Sequence, residues 1–416
     1  MATIRPFQAL RPSQELAGAV AAVPYDVVNT EEARRLAANN PVSFLHVSRP
    51  DIDLPDGVDP YSDAVYQKAA ENFEKLKREA PLAFESQPSL YIYSMQLGEH
   101  SQTGIAACCA VDEYDSNIIR KHELTHKDKE DDRTRHILTL RAQTGPVLMT
   151  YRGRDEINNL VTGQQSSEPL FDFTATDGIR HTIWRVSEAA TVRMVEAFRA
   201  VSLIYIADGH HRAASASRAR AELRANNPDH TGQEESNFLV SVLFPDHQLQ
   251  ILPYNRVVKD LNGMSPDEFL TALSQQFEVA ETVSPSPRHK GEICAYVGAG
   301  KDKGGKWYSL TLPPGTTAPM DPVSSLDLTV LQERVMGPLL GITEVRTDKR
   351  VEFVGGIRGT AGLELIVNQG LAAVAFSMYP VSVDDLMAIS DAGQIMPPKS
   401  TWFEPKLRDG LLSHVI

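Results

Sequence analysis

Short apolar runs alternate with amphipathic stretches along most of this chain, a pattern that predicts strands separated by helices. Residues 203–207 are apolar and β-branched at Ile204 and Ile206, which predicts a buried strand. Residues 238–244 predict a second one, with 249–258 as its neighbour across the Pro245-Asp246 turn. Shorter runs at 44–47, 90–95, 103–111, 146–151 and 181–186 predict further strands, and 21–28 is an extended segment broken by Pro24. Helical spacing predicts helices over 61–79 and 189–198 and from about His210 onward. Asn29 followed by Glu31 and Glu32 opens another, because a capping side chain and acids in the first turn satisfy free backbone N–H groups. Residues 155–180 show no clear period.

Beyond residue 261 the pattern starts afresh. Helices are predicted at 265–276, 326–336 and 381–393, and strands near 292–297 and 307–312. The chain is therefore expected to comprise an N-terminal α/β segment (1–100) packed on a core (101–260) and a C-terminal α/β domain (261–416). The polar, proline-containing tail 394–407 carries Lys399, Ser400, Thr401, Trp402 and Lys406, and is a candidate to fold back on a site. A length of 416 residues agrees with two or three domains.

Charge narrows the functions. A net charge of −13 argues against a partner bound by neutralising nucleic-acid phosphates, yet allows a small anion in a locally basic pocket. No apolar run reaches the length of a bilayer span, and the N-terminus lacks the apolar centre of a signal peptide, so the expected compartment is the cytoplasm with no membrane partner. Cys108, Cys109 and Cys294 suggest neither a disulfide framework nor a cysteine zinc site.

Two polar concentrations carry the candidate chemistry. The first, Asp208-Gly209-His210-His211-Arg212, follows directly on the 203–207 strand and opens a helix. A strand, a tight turn and a helix N-terminus together make a natural anion site. The bland alternative is that Asp208 only caps the helix and the histidines are surface polar groups. The second runs from Arg120 to His136. Within it His122-Glu123-Leu124-Thr125-His126 matches the zinc-peptidase pattern, which on a helix would set both imidazoles on one face. Its charged surroundings and the lack of a clear third ligand suit another use better, in which Glu123 is a general base among cations and Arg133, Arg135 and His136 add to an anionic pocket. The bland alternative here is a solvated helix. The entry motifs of P-loop NTPases, protein kinases, Rossmann dehydrogenases and α/β-hydrolases are absent.

Taken together, the two stretches resemble the SerK and SbnI free-serine kinases of the ParB/sulfiredoxin-like superfamily. The chain is further similar to a bacterial family of long proteins related to SerK. That similarity rests on Val23-Pro24-Tyr25-Asp26-Val27-Val28, Arg120 to Thr125 with Asp132-Arg133, Ile206 to Arg212, Leu252-Pro253-Tyr254-Asn255-Arg256 and Met396 to Phe403. The resemblance implies an α/β (α+β) fold with a mixed-sheet catalytic core and added terminal segments. It implies phosphoryl transfer from ATP or ADP to free L-serine, or a similar hydroxy amino acid, with Mg²⁺. Glu123 would accept the hydroxyl proton. Asp208 would hold the metal or orient the substrate, and Gly209, His210, His211 and Arg212, with His122 and Arg133, would bind the nucleotide and the transferring phosphate. A nucleotide-sensing protein without turnover, and a zinc peptidase using His122 and His126, are the alternatives. A homodimer is left open. The phosphoryl-transfer reading makes one geometric demand: Glu123 and the 208–212 turn must line one pocket.

Overall fold

The computed structural model describes residues 1–300, 303–316 and 321–416. The chain forms two compact units, Met1–Leu249 with Pro405–Ile416, and Gln250–Glu404. Residues 1–100 and 101–249 fall within the first of these units. The class is mixed α/β, as the sequence predicts. Among the described residues no helix is long and apolar enough to cross a membrane.

The first unit is built on a nine-stranded mixed sheet. Its central strands are His100–Ala110, Phe238–Pro245, Val147–Tyr151 and Ile204–Asp208, in that spatial order, with Ile119–Arg120 at the edge. Ile204–Asp208 runs antiparallel to Val147–Tyr151 and parallel to Ile119–Arg120, which brings the two polar stretches of the sequence to neighbouring strands. The apolar side chains Ile105, Met149, Ile204, Ile206, Leu239 and Leu243 are buried in one cluster with Met194 and Phe198 of the helix Glu188–Phe198. Each fully buried aliphatic or aromatic side chain of this kind contributes about 1.5–3 kcal/mol, and their continuity fixes the strand register.

The helix Lys127–Leu140 packs beside the helix His210–Ala225. Ala213, Ala214, Ala216 and Ala219 are buried on the second helix, and side chains this small permit close approach to its neighbours. A separate cluster of Leu10, Ala33, Phe44, Val47, Phe73 and Leu76 joins the N-terminal helices Thr30–Ala37, Leu45–Ser48 and Asp63–Glu79. Asn29 and Glu32 form a reciprocal capping box on the first of these. The segment Pro405–Ile416 is woven into the unit. Asp409 bridges Ala22, Ser413 bridges Leu10, and His414–Val415 pairs with Ala142–Gln143.

The second unit holds a six-stranded antiparallel sheet in the order Glu278–Thr282, Gly305–Thr311, Glu292–Gly298, Val374–Ser377, Tyr254–Val258, Val351–Gly355. Capping boxes at Ser265/Glu268 and Ser382/Asp385 start the helices Pro266–Ser274 and Val383–Asp391.

Several expectations are corrected. Residues 44–47 are not a strand: Leu45–Ser48 is a short helix, because Phe44, Leu45 and Val47 turn inward against Phe73 and Leu76. Residues 249–258 do not neighbour 238–244. Ile251–Leu252 pairs with Trp402–Phe403, and Tyr254–Val258 belongs to the second sheet. The period missed in 155–180 hides the helix Asp155–Gln164 and the strand Phe171–Thr174.

Candidate functional site

The strand Ile204–Asp208 ends in a register shift against Val147–Tyr151 between Ile206 and Asp208. Such a bulge re-aims the side chain that follows it. Gly209 then takes φ 99°, in the left-handed region where a side chain is strained, and the helix starts at His210. A Cβ on Gly209 would lie 2.9 Å from Arg212 Nε, so glycine is what lets this guanidinium fold back over the turn.

Arg212 Nη2 donates to Asp208 Oδ2 at 3.0 Å, and Nη1 donates to the Pro146 carbonyl at 2.5 Å. Lys406 Nζ donates to Asp208 Oδ1 at 3.2 Å. Asp208 therefore holds two cations, one on each oxygen. Burial alone pushes its carboxyl up, but the Lys406 ammonium and the Arg212 guanidinium outweigh that and hold it at about 2. Lys399, the other lysine of the tail considered from sequence, sits in the second unit with its ammonium 5.7 Å over the Tyr254 ring.

His122 and His210 are buried and meet edge to face, with ring centroids 4.4 Å apart. The His122 backbone N–H points at His210 Nε2 at 3.4 Å. Nε2 is thus the acceptor, which leaves the proton of a neutral His210 on Nδ1. That Nδ1 lies 3.6 Å from Glu123 Oε2. Burial, then the neighbouring His122, hold His210 well below the usual imidazole range, so it faces Glu123 as a neutral N–H donor. Burial likewise holds His122 at about 4, and among the described residues neither of its ring nitrogens has a hydrogen-bond partner in normal geometry. His211 is half-buried. Its Nε2 accepts from the His126 backbone N–H at 3.1 Å, with the two rings stacked.

Behind the turn lies a small cavity of about 40 Å³, lined by Tyr25, Arg133, His136, Thr144, Arg212 and Asp409 among others. Arg133 is held by Asp132 at 2.9 Å and stacks over the Tyr25 ring at 4.2 Å. His136 Nε2 is 2.9 Å from the Val47 carbonyl, and burial followed by Arg133 pushes it down to about 3. Asp409 is buried, with burial pushing its carboxyl up to about 7, and its Oδ1 has no hydrogen-bond partner among the described residues. Arg212 links the two halves of the site, because it grips Asp208 and also lines the cavity.

The structure thus brings together Glu123, His122, His210, Asp208, Gly209 and Arg212, with Arg133 across the cavity. It does not bring Arg135, which turns to Asp63 and the Tyr66 ring. The helical zinc arrangement is corrected: residues 121–126 lie between the strand Ile119–Arg120 and a helix that starts only at Lys127, so His122 and His126 share no helix face. Sequence reasoning missed Tyr25 and Asp409. Tyr25 sits inside the quoted Val23–Val28 motif, but Asp409 gave no local signal. In the arrangement found, Arg133 and Arg212 line one cavity, Arg212 and Lys406 meet on Asp208, and Glu123 faces His210 at the start of the same helix.

A family profile described as "Protein of unknown function (DUF1015)" matches residues 4–329. Among curated proteins none matches the sequence. Among solved structures, the chain is similar to a conserved hypothetical protein from Pyrococcus furiosus, with a TM-score of 0.36, 13% identity, and 74% of this chain and 94% of that one covered. It is similar to SbnI with a C-terminal truncation from Staphylococcus aureus, with a TM-score of 0.38, 13% identity, and 73% and 85% covered. A free serine kinase in complex with AMP gives a TM-score of 0.38, 12% identity, and 74% and 91% covered.

Proposed function

The chain belongs to the family described as Protein of unknown function (DUF1015), and on that premise we propose that it is a phosphotransferase that moves a phosphoryl group from ATP or ADP to the hydroxyl of free L-serine or a similar small hydroxy amino acid. One observation carries the reading. Glu123 Oε2 stands 3.6 Å from His210 Nδ1, so the candidate base and the candidate phosphate turn share one site.

In the reaction the hydroxyl oxygen forms a bond to phosphorus as its proton passes to Glu123, and the bond from phosphorus to the nucleotide oxygen breaks. Such transfer depends on position and on cations facing the developing charge more than on covalent work. Arg212 and Lys406 supply the cations, and Asp208 fixes both. His210, neutral and with its Nδ1–H facing Glu123 at 3.6 Å, favours the ionised Glu123 carboxylate without taking its proton. Arg133 offers a further guanidinium to an anionic group in the cavity.

The residues do not make a resident magnesium site. Asp208 is a lone carboxylate between two cations, and among the described residues no group of three His, Cys, Asp or Glu side chains is arranged to hold a metal. Magnesium would instead arrive with the nucleotide as part of the substrate, as is usual for an ion that keeps several waters and few protein ligands.

The reading without turnover draws on a different observation. Asp208 already neutralises Lys406 and Arg212, as a ligand phosphate would. A product screen separates the two. Purified protein with Mg²⁺, each of ATP, ADP and pyrophosphate, and a panel of hydroxyl-bearing amino acids is expected to form O-phosphoserine or its analogue. Nucleotide binding with no phosphorylated product from any combination favours the sensor and ends the kinase reading.

A further inference from the structure

The unit Gln250–Glu404 has a cavity of its own, of about 240 Å³, which the site above does not use. Two stretches prominent in the sequence, Leu252–Arg256 and Met396–Phe403, meet beside it. Ile251–Leu252 pairs with Trp402–Phe403, and the Trp402 ring stands edge-on to Tyr254 at 5.4 Å. Neither stretch has a part in the phosphate chemistry.

Arg256 lines this cavity and is 4% exposed. Among the described residues it donates only to neutral acceptors, the carbonyls of Tyr254, Pro398 and Lys399, the last two at 3.4 and 3.2 Å. No ion pair to a carboxylate is formed by it among the described residues, and burial pushes its guanidinium down to about 10. A buried charge without a counter-charge is costly, and a guanidinium presents a planar fork of donors that matches a carboxylate. Much of the lining is apolar, with Leu328, Leu331, Met336 and Val345. Part of it is the π-helical turn Gln332–Met336, a local widening that often marks binding sites.

We propose that this cavity binds a small monocarboxylate with an aliphatic body, its carboxylate on Arg256 and its body among Leu328, Leu331, Met336 and Val345. A single cation matches a single negative charge. Glu333 and Glu344 also line the cavity and would repel a phosphate dianion. The same chemistry is offered by a plain aliphatic acid and by an α-amino acid with an aliphatic side chain, whose ammonium would face those two glutamates.

Calorimetric titration of the full chain with 4-methylpentanoate, L-leucine and inorganic phosphate tests this. One or both carboxylates are expected to bind, with the negative heat-capacity change of apolar burial. Arg256→Met is expected to weaken binding by about tenfold to a hundredfold, the scale of a lost charged hydrogen bond. Leu328→Trp fills the space while leaving Arg256 in place and is expected to abolish binding, so the test survives if the arginine variant fails to fold. If L-leucine binds more tightly and loses that advantage in Glu333→Gln with Glu344→Gln, the ligand is an amino acid; equal binding points to the plain acid. Binding of neither carboxylate, tighter binding of phosphate, or unchanged affinity in Leu328→Trp would overturn the proposal. None of these outcomes depends on the phosphotransferase reading.

Discussion

Lys406 Nζ sits 3.2 Å from Asp208 Oδ1 although 198 positions separate them in the chain. This contact supplies Asp208 with its second cation, a buried ammonium at the end of the proposed phosphate turn. Lys406→Met is expected to lower the rate of phosphoryl transfer by about 10²–10³, the usual scale for losing one preorganised charge-stabilising group. Steady-state kinetics on the identified donor and acceptor check it. A variant as active as the parent would remove Lys406 from the mechanism.

Glu123→Gln keeps the shape of the side chain and removes the proton acceptor. Transfer should fall by about 10²–10⁴, the range for general-base catalysis. Nucleotide affinity, followed by calorimetry, should stay within a few-fold. Loss of both together would mean that Glu123 supports the fold or the nucleotide rather than the acceptor hydroxyl.

Gly209→Ala sets a side chain on a backbone at φ 99° and drives it against Arg212 Nε. The backbone term alone costs about 1–2 kcal/mol of stability. Activity should fall further than stability, because a displaced Arg212 releases Asp208. Thermal unfolding and kinetics on the same preparation separate the two effects.

Asp409 gives a pH signature. Its folded carboxyl stands at about 7 through burial, above the unfolded value of about 3.9. Its contribution to stability is therefore full below about pH 4 and is lost as pH rises through about 7. His122 runs the other way. Its folded value of about 4 lies below the unfolded value of about 6.5, so its contribution is present above that and lost as pH falls. Comparing Asp409→Asn with the parent isolates the first effect. The variant should unfold at a higher temperature than the parent at about pH 8, and that advantage should vanish near pH 4. An advantage that does not change with pH would show that Asp409 is not the group responsible.

The strand–turn–helix at Asp208 was legible because every local signal agreed: a β-branched run, a glycine, then helix-forming alanines. The approach of Glu123 to that turn was a demand of the chemistry that no local pattern could supply. It comes from the parallel pairing of Ile204 with Ile119, which is tertiary. Residues 44–47 misled because a run of four apolar residues has no period to tell a strand from a buried helical turn. The wrong partner for Phe238–Pro245 had another cause. A proline turn between two apolar runs reads as a hairpin, yet the chain leaves one unit for the other at that point. Asp409 was invisible because its burial follows from the return of a distant segment.

That return carries a consequence for biosynthesis. The first unit is interrupted by Gln250–Glu404, and its remaining strand pairings and the Lys406 ammonium lie in Pro405–Ile416. A growing polypeptide can form most of the large sheet while the second unit is still being translated, since domains tend to fold as they emerge. It cannot finish the anion site. Until Pro405–Ile416 leaves the ribosome, Asp208 lacks one of its two cations and the cavity lacks Asp409. A chain released before Pro405–Ile416 is made would carry most of the large sheet without the contact between Lys406 and Asp208.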